Sequence, residues 1–312
     1  MYSNNMTLKQ LRYLREISRQ SLNISAAATV LHTSQPGVSR QIQLLEQELG
    51  MDLLVRRTNR ILGFTETGRG VLAAAERLLT ETENIGLIVA DARNENAGRL
   101  VLATSHLHAR YSLPAPVRAF SRRYPDVQLN LLQGEPDDIQ KLVESGDADV
   151  GVSTEVAGRH AGLVQLPVAM IRRSLIMPAG HPLSRKKRIG IEDIVRYPVV
   201  GYHARSRGGE IIAQALRDAG VSARFVVSAS DSDVIKAYVA EGLGIAIVPT
   251  IALERRADSR LHAVDVTRLF GQTMMTVSLR RGTHLRRYVT DLILMIGPQM
   301  TREIVERAMK HH

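Results

Sequence analysis

The stretch Ile24 to Gly50, ISAAATVLHTSQPGVSRQIQLLEQELG, limits what this chain can fold into more than any other. Ile24, Ala27, Ala28 and Leu31 recur at i, i+3, i+4 and i+7, the spacing of one helical face. Alanines at 26, 27 and 28 allow a second helix to approach closely. His32 and Thr33 interrupt the pattern, and Ser34 is a good N-cap for the second helix. Pro36 suits a first turn whose amides lack intrahelical partners in any case. This second helix sets Val38, Ile42, Leu45 and Leu49 on one side and stops at Gly50. Its other side carries Gln35, Ser39, Arg40 and Gln43. A helix with an apolar floor and a roof of Gln, Ser and Arg suits the major groove, where such side chains bond base edges and phosphates. Ser34, Gln35, Pro36, Ser39, Arg40 and Gln43 are therefore candidate DNA contacts. The competing reading is an amphipathic hairpin inside an all-helical domain, because helix-turn-helix patterns also arise without DNA.

With 312 residues the chain has room for two or three domains, and a hydrophobic content of 44% supports well-formed cores. No run of about 18 uncharged apolar residues implies a membrane span. The opening MYSNNMTLKQLR has no apolar segment of the signal-peptide kind. The absence of cysteine excludes disulfides and thiolate metal sites and fits a cytoplasmic protein. The net charge of +10 points to a polyanionic partner, but its distribution matters. Residues 1–70 hold nine Lys/Arg against five Asp/Glu, and residues 71–98 hold two against five. Most of the excess thus lies beyond residue 98, in runs such as Arg185 to Arg188 and Arg286-Arg287 that read most simply as solvated surface.

A first helix is expected from about Thr7 to Ser18, with Leu8, Leu11, Leu14 and Ile17 packed under the helix pair. After Gly50, two β-prone runs, Leu53 to Arg57 and Arg60 to Phe64, flank a turn at Thr58-Asn59. Arg56, Arg57 and Arg60 crowd the tip of this hairpin. A wing of that kind lays arginines on the DNA backbone or in the minor groove; otherwise it is an exposed hairpin with charged gatekeepers. Thr65 caps a long helix over 66–93. Its apolar positions Val71, Leu72, Ala75, Leu78, Leu79, Ile85, Ile88 and Ala92 follow a period near 3.5 with no globular partner in view. Such a seam pairs with a second copy of itself, which suits palindromic half-sites; the alternative is packing on the chain's own C-terminal domain. The polar segment Asn94 to Arg99 reads as a linker. Beyond it strands alternate with helices: LVLATS, the helix Leu113 to Tyr124, VQLNLLQG, PDDIQKLVESG, ADVGVS, SLIMP, PVVGY, a helix near Glu210 to Ala219, RFVVSAS, DSDVIKAYVAEG and GIAIVP. Repeated βαβ units imply mostly parallel sheets, here two lobes with a cleft at the carboxyl ends of the strands.

These features together resemble the LysR-type transcriptional regulators. The resemblance is carried by TLKQLRYLREISRQSLNISAAATVLHTSQPGVSRQIQLLEQELG and by the wing ending in FTETG. ATSHLHARYSLP, FSRRYPDVQLNLLQGEPDDI, SDSDVIKAYVAEGLGIAIVP and LRRGTHLRRYVTDLI are further similar to the CysB-like branch, activators of sulfur assimilation genes. The resemblance spans about residues 7 to 310 and implies an α/β protein with an N-terminal winged helix-turn-helix (1–65), a long linker helix that dimerises (66–93) and a two-lobed effector domain resembling periplasmic binding proteins (94–310). Lobe I is expected over about 99–167 plus 270–300 and lobe II over about 168–269, with crossings near Pro167 and Phe270. A homodimer, usually assembled into a tetramer, double-stranded promoter DNA and contact with RNA polymerase are the implied partners. No enzyme activity, cofactor or membrane is implied.

In that branch a small sulfur-related effector or anion lies in the cleft, at positions that here are Ser105, Leu107, His108, Thr154 and Arg207. Ser105 and Thr154 keep the hydroxyl chemistry. Leu107 stands where the branch has a hydroxyl, His108 where it has an amide, Arg207 where it has another hydroxyl, and Ile171 where it has a tryptophan. The fold therefore carries over, whereas an acetylated serine ligand does not. An arginine and a histidine facing a serine and a threonine can hold a carboxylate, sulfate or phosphate through charge-assisted hydrogen bonds. The competing reading has Arg207 in solvent, on a loop with Arg205 and two glycines.

Other chemistry is weakly signalled. His106 and His108 alternate like same-face ligands, with no third His or carboxylate placed nearby to make a metal site. Gly242-Leu243-Gly244 lacks the rest of a dinucleotide fingerprint, and no nucleophile elbow, zincin or P-loop motif occurs. Asp137-Asp138 favours the start of its helix. His311-His312 is set aside. Besides the ligand-responsive regulator of sulfur or organosulfur genes, the sequence leaves open a regulator with an unrelated organic-acid effector, or an α/β solute-binding or enzymatic domain with an interaction module attached.

Overall fold

The computed structural model describes residues 6–57, 60–93, 96–154, 160–204 and 206–310. The chain forms two compact units, Met1–Glu95 with Gly282–Arg286, and Asn96–Arg281 with Arg287–His312. No described helix is long and apolar enough to cross a membrane.

In the first unit α1 (Leu8–Arg19), α2 (Ile24–Val30) and α3 (Gln35–Leu49) each begin at a side-chain cap: Thr7 in a capping box with Gln10, Asn23, and Ser34. Leu11, Leu14, Ile17, Ala27, Ala28, Val38, Ile42 and Leu45 share one core. Gly50, at φ 66°, ends α3 in the left-handed conformation that a side chain would disfavour. β1 (Leu54–Arg57) and β2 (Arg60–Phe64) pair as an antiparallel hairpin. The turn expected at Thr58-Asn59 lies outside the described residues. α4 (Glu66–Ala92) starts from Thr65, whose hydroxyl accepts the Gly68 amide at 2.8 Å. Only glycine fits there, since a Cβ on Gly68 would stand 2.0 Å from the Leu53 carbonyl oxygen.

The apolar positions of α4 do not form a single seam. Ala75 and Leu79 are buried in the core of the first unit, with Val71 and Leu72 packed against it. Leu78, Ile85, Ile88 and Val89 are exposed. This corrects the grouping of Leu79 with Leu78: consecutive residues are about 100° apart around a helix and cannot share one narrow stripe. The C-terminal half of α4 meets the Gly282–Arg286 loop. Asn84 donates to the Gly282 carbonyl at 2.7 Å and accepts the His284 amide at 2.8 Å, and the His284 ring lies 3.0 Å from Asp91.

The second unit runs β3 (Gly98–Thr104), α5 (His106–Tyr111), α6 (Pro114–Arg123), β4 (Val127–Gln133), α7 (Pro136–Ser145), β5 (Val150–Thr154), β6 (Leu163–Ile171), β7 (Arg173–Pro178), α8 (Ile191–Ile194), β8 (Val199–Tyr202), α9 (Arg207–Asp218), β9 (Phe225–Ala229), α10 (Ser232–Ala240), β10 (Ala246–Pro249), β11 (Leu261–Asp265), α11 (Thr267–Phe270), β12 (Thr273–Arg280), α12 (Arg287–Ile296) and α13 (Arg302–Lys310). A five-stranded sheet has the order β4-β3-β5-β12-β6. Its β4, β3 and β5 are parallel, and β12 runs antiparallel to β5 and β6. The second lobe holds a three-stranded sheet, β10-β7-β11, antiparallel throughout, and the parallel pair β8-β9. The expectation of mostly parallel sheets thus holds for β3, β4, β5, β8 and β9 and fails elsewhere, because β6, β7, β11 and β12 follow the chain's crossings between lobes rather than helical crossovers. β6 runs through Pro167 to Ile171 before the chain changes sheet at Arg173. A register shift between Met275 and Thr276 accommodates the proline, which cannot donate to the ladder.

Candidate functional site

The α3 surface opposite the core is open. Ser34, Gln35, Pro36, Arg40 and Gln43 are exposed and Ser39 is half-buried, while Val38, Ile42 and Leu45 are buried beneath them. A cap at each end holds the helix, so these side chains stand on a rigid rod. The wing divides its arginines. Arg56 donates to Glu46 at 2.8 Å, and Glu46, itself 7% exposed, also accepts the Leu53 and Leu54 amides at 2.8 and 3.1 Å. The charge of Arg56 is therefore engaged in tying the hairpin to α3, which corrects its assignment as a phosphate contact equal to its neighbours. Arg57 and Arg60 are exposed and enter no ion pair among the described residues. Glu46 was not legible in the sequence, because a polar residue beside the apolar stripe of α3 looks like any solvated helix position.

In the second unit, Ser105 is the N-cap of α5 at the carboxyl end of β3, and Thr154 closes the neighbouring parallel strand β5. Arg207 opens α9 after β8. The expected positions thus fall at strand ends in both lobes, where an α/β fold presents free amides. Ile171 is buried at the end of β6, and Leu107 is half-buried on α5. His108 is fully buried, its Nδ1 is 3.1 Å from the Ser112 hydroxyl, and its Nε2 meets no partner. Burial pulls its pKa down to about 4, so the imidazole is neutral at physiological pH. This corrects the idea of a charged histidine beside the anion. His106 points elsewhere, exposed on the same short helix, so the two histidines do not share a face.

His106 instead reaches the second lobe, 3.3 Å from Asp233. Tyr111 donates to the same carboxylate, and the Lys236 ammonium donates to the Tyr111 oxygen at 2.8 Å, to the Ala252 carbonyl at 2.7 Å and to Asp258 at 3.2 Å. Burial opposes the Asp233 charge, but the bonds from Tyr111 and His106 and the Lys236 charge outweigh it, and its pKa falls below the ordinary carboxylate range. With Asp231, His106 and Asp233 place ligand atoms within 4.8 Å of one another, which corrects the expectation that no carboxylate lies near His106. The group is exposed or half-exposed and Asp233 is already satisfied by protein donors, so the arrangement is a bridge between lobes.

Arg207 is 40% exposed, lies 3.4 Å from Glu210, and borders a groove of about 940 Å³ with Ile211, Gln214, Arg268 and Phe270. Its Nε is buried without a partner. No local signal in the sequence singles out Tyr202 or Ser232, whose hydroxyls are 2.7 Å apart where β8 ends and α10 begins.

Comparison with known proteins agrees with this geometry. Residues 8–69 match the family described as bacterial regulatory helix-turn-helix protein, lysR family, and residues 93–301 match the LysR substrate binding domain. The chain is 40% identical over 295 residues to the HTH-type transcriptional regulator SsuR of Burkholderia cenocepacia, covering 95% of this chain and 96% of that protein. It is 38% identical over 305 residues to the regulator CysB of the same organism, covering 98% and 97%. Among solved structures, the cofactor-binding domain of the Cbl transcriptional regulator superposes with a TM-score of 0.65 at 34% identity, covering 70% of this chain and 96% of that one.

Proposed function

This chain belongs to the LysR family of transcriptional regulators, and from that premise we propose that it reads promoter DNA as a homodimer joined through α4 and answers to a small anionic effector. The observation that carries the DNA reading is the face of α3. Gln35, Ser39, Arg40 and Gln43 stand on one open side of a capped helix whose other side is core. Arg57 and Arg60, on the hairpin beside it, add sequence-independent attraction for phosphates. A two-fold dimer places two such helices on two half-sites. The exposed Leu78, Ile85, Ile88 and Val89 stripe of α4 supports that dimer, and pairing of dimers gives the tetramer usual in the family. The effector lies between the lobes at Ser105, Leu107, Thr154, Ile171 and Arg207, with His108 as a buried wall. The similarity to CysB and SsuR supports target genes of sulfur or organosulfur metabolism, a cytoplasmic location and communication with RNA polymerase.

Mobility-shift titrations on a palindromic promoter fragment at two salt concentrations test the DNA reading. Gln35→Ala and Ser39→Ala are expected to lose discrimination between specific and mutated sites by about 1–3 kcal/mol each. Arg57→Ala and Arg60→Ala are expected to weaken binding to every sequence and to flatten the salt dependence. Unchanged discrimination in both α3 variants would show that another surface reads the bases.

A further inference from the structure

We infer that Arg173, at the start of β7, anchors an oxyanion site in the second lobe, and that the charged head of the effector (sulfonate, sulfate or carboxylate) is gripped by its guanidinium together with the first turn of α9. The inference rests on the anionic-effector reading and extends it to a residue the sequence did not single out.

Arg173 is 3% exposed, its Nε has no hydrogen-bond partner, and no ion pair or side-chain hydrogen bond engages it among the described residues. A buried guanidinium is ordinarily matched by a carboxylate. Here the groups acting on it are a second cation, Arg207, which repels it, and the phenol of Tyr202; burial is what most strongly disfavours its charge. Arg207 likewise has a buried Nε without a partner, and the carboxylate beside it, Glu210, is exposed one turn further along α9.

The register of β7 fixes where Arg173 points. Leu175 and Met177 pack with Ile212 and Leu216 of α9 in one core, whereas Ile176 packs with Ile235 and Val239 of α10 in another. Alternation along a strand therefore puts Arg173 on the α9 side. It pairs with Pro249 at the carboxyl end of β10, and Ile245, just before β10, is bridged in parallel to Val199 at the start of β8. Arg173 thus lies at the end of the lobe where β8 finishes and α9 begins. The Tyr202 ring closes the gap, packed so tightly on Gly208 that a Cβ there would stand 3.0 Å from it. Ser206 caps α9 through the Gly209 amide at 3.1 Å, and the Arg207 and Gly208 amides precede the first intrahelical bond. Two guanidinium groups, a helix N-terminus and the Tyr202–Ser232 hydroxyl pair converge; the carboxylates beside them are Glu210, 3.4 Å from Arg207, and Asp231, which caps α10 next to Ser232, and neither pairs with Arg173. An oxyanion with a bidentate edge supplies the missing negative charge.

The test titrates sodium methanesulfonate, sulfate and acetate into the full-length protein at constant ionic strength, by thermal shift and calorimetry. Wild type is expected to show saturable stabilisation by at least one of the three, which identifies the head group. Arg173→Met is expected to bind that anion about tenfold more weakly or worse, while its Tm without anion equals or exceeds that of wild type because an unpaired buried charge is gone. Arg173→Lys keeps the charge without the fork, is expected to bind more weakly than wild type, and decides the question should the Met variant not fold. Anion binding as tight as wild type in whichever variant folds overturns the role of Arg173 and leaves the anionic effector standing. Absence of saturable anion binding in wild type overturns both.

Discussion

At the scale of single residues, burial decides which side chains keep the roles their chemistry suggests. His108, expected to present charge to a ligand, is instead a neutral residue in a desolvated site. Its folded pKa of about 4 lies below the ordinary 6.5, which sets a sign. Above about pH 6.5 both folded and unfolded chains carry the neutral ring. Between about 6.5 and 4 the unfolded chain takes up a proton that the folded one refuses, so stability falls as pH falls across that window, by about 3 kcal/mol in all. His108→Gln, which keeps a polar group beside Ser112, is expected to flatten that part of the stability profile in urea titrations at successive pH values. An unchanged slope would mean that protonated His108 is accommodated. Arg56 offers a parallel case. Its pairing with Glu46 means that Arg56→Ala should lower thermal stability, by about 1–3 kcal/mol for a carboxylate left short of its partner, as well as DNA affinity. Arg57→Ala should lower DNA affinity alone, and equal Tm values for the two variants would deny the tether.

At the scale of elements, the helices of the first unit were legible because local signals coincide: Thr7, Ser34 and Thr65 cap, Gly50 stops, and Leu, Ile and Ala repeat at helical spacing. The linker helix was legible in its extent and misread in its faces, because Leu78 and Leu79 are both apolar and only tertiary packing says which one faces the core. That division makes a prediction. Leu79→Ala removes a side chain 2% exposed from the core of the first unit and is expected to cost about 2–5 kcal/mol of stability. Ile85→Asp alters a side chain 65% exposed in the monomer and should leave the fold intact while abolishing dimerisation. Analytical ultracentrifugation beside a melting curve separates the two, and an Ile85→Asp protein that stays dimeric would place the self-association elsewhere. β6, β11 and β12 were not legible. Their alternation is broken by Pro167, by charged residues and by methionines, and their pairing partners lie far away in the chain, as when Thr276 pairs with Pro167 and Ser153.

At the scale of the whole effector unit, the two-lobed plan was legible from the succession of strands and helices, whereas the bridge between lobes was not. Tyr111, Asp233 and Lys236 are more than a hundred residues apart in part of their contacts, and nothing local marks them as partners. Their geometry implies a mechanical role. Tyr111 on α5 donates a hydrogen bond to Asp233 on α10 and accepts one from Lys236 of the same helix, so one phenol ties the lobes through two bonds. Tyr111→Phe removes both bonds and retains the ring and its packing. Asp233 and Lys236, 3.4 Å apart, still satisfy each other, so the loss falls on closure and not on folding. Each hydrogen bond to a charged group contributes about 1.5–3 kcal/mol at most, and a ligand that needs closed lobes binds in proportion to the closed fraction. The expected result is about five- to twentyfold weaker binding of whichever anion stabilises wild type, with basal DNA affinity unchanged because α3 and the wing are untouched. Calorimetry with that anion, set beside mobility shifts without it, reads the two effects separately. Wild-type anion affinity in Tyr111→Phe would mean that the bridge does not govern closure.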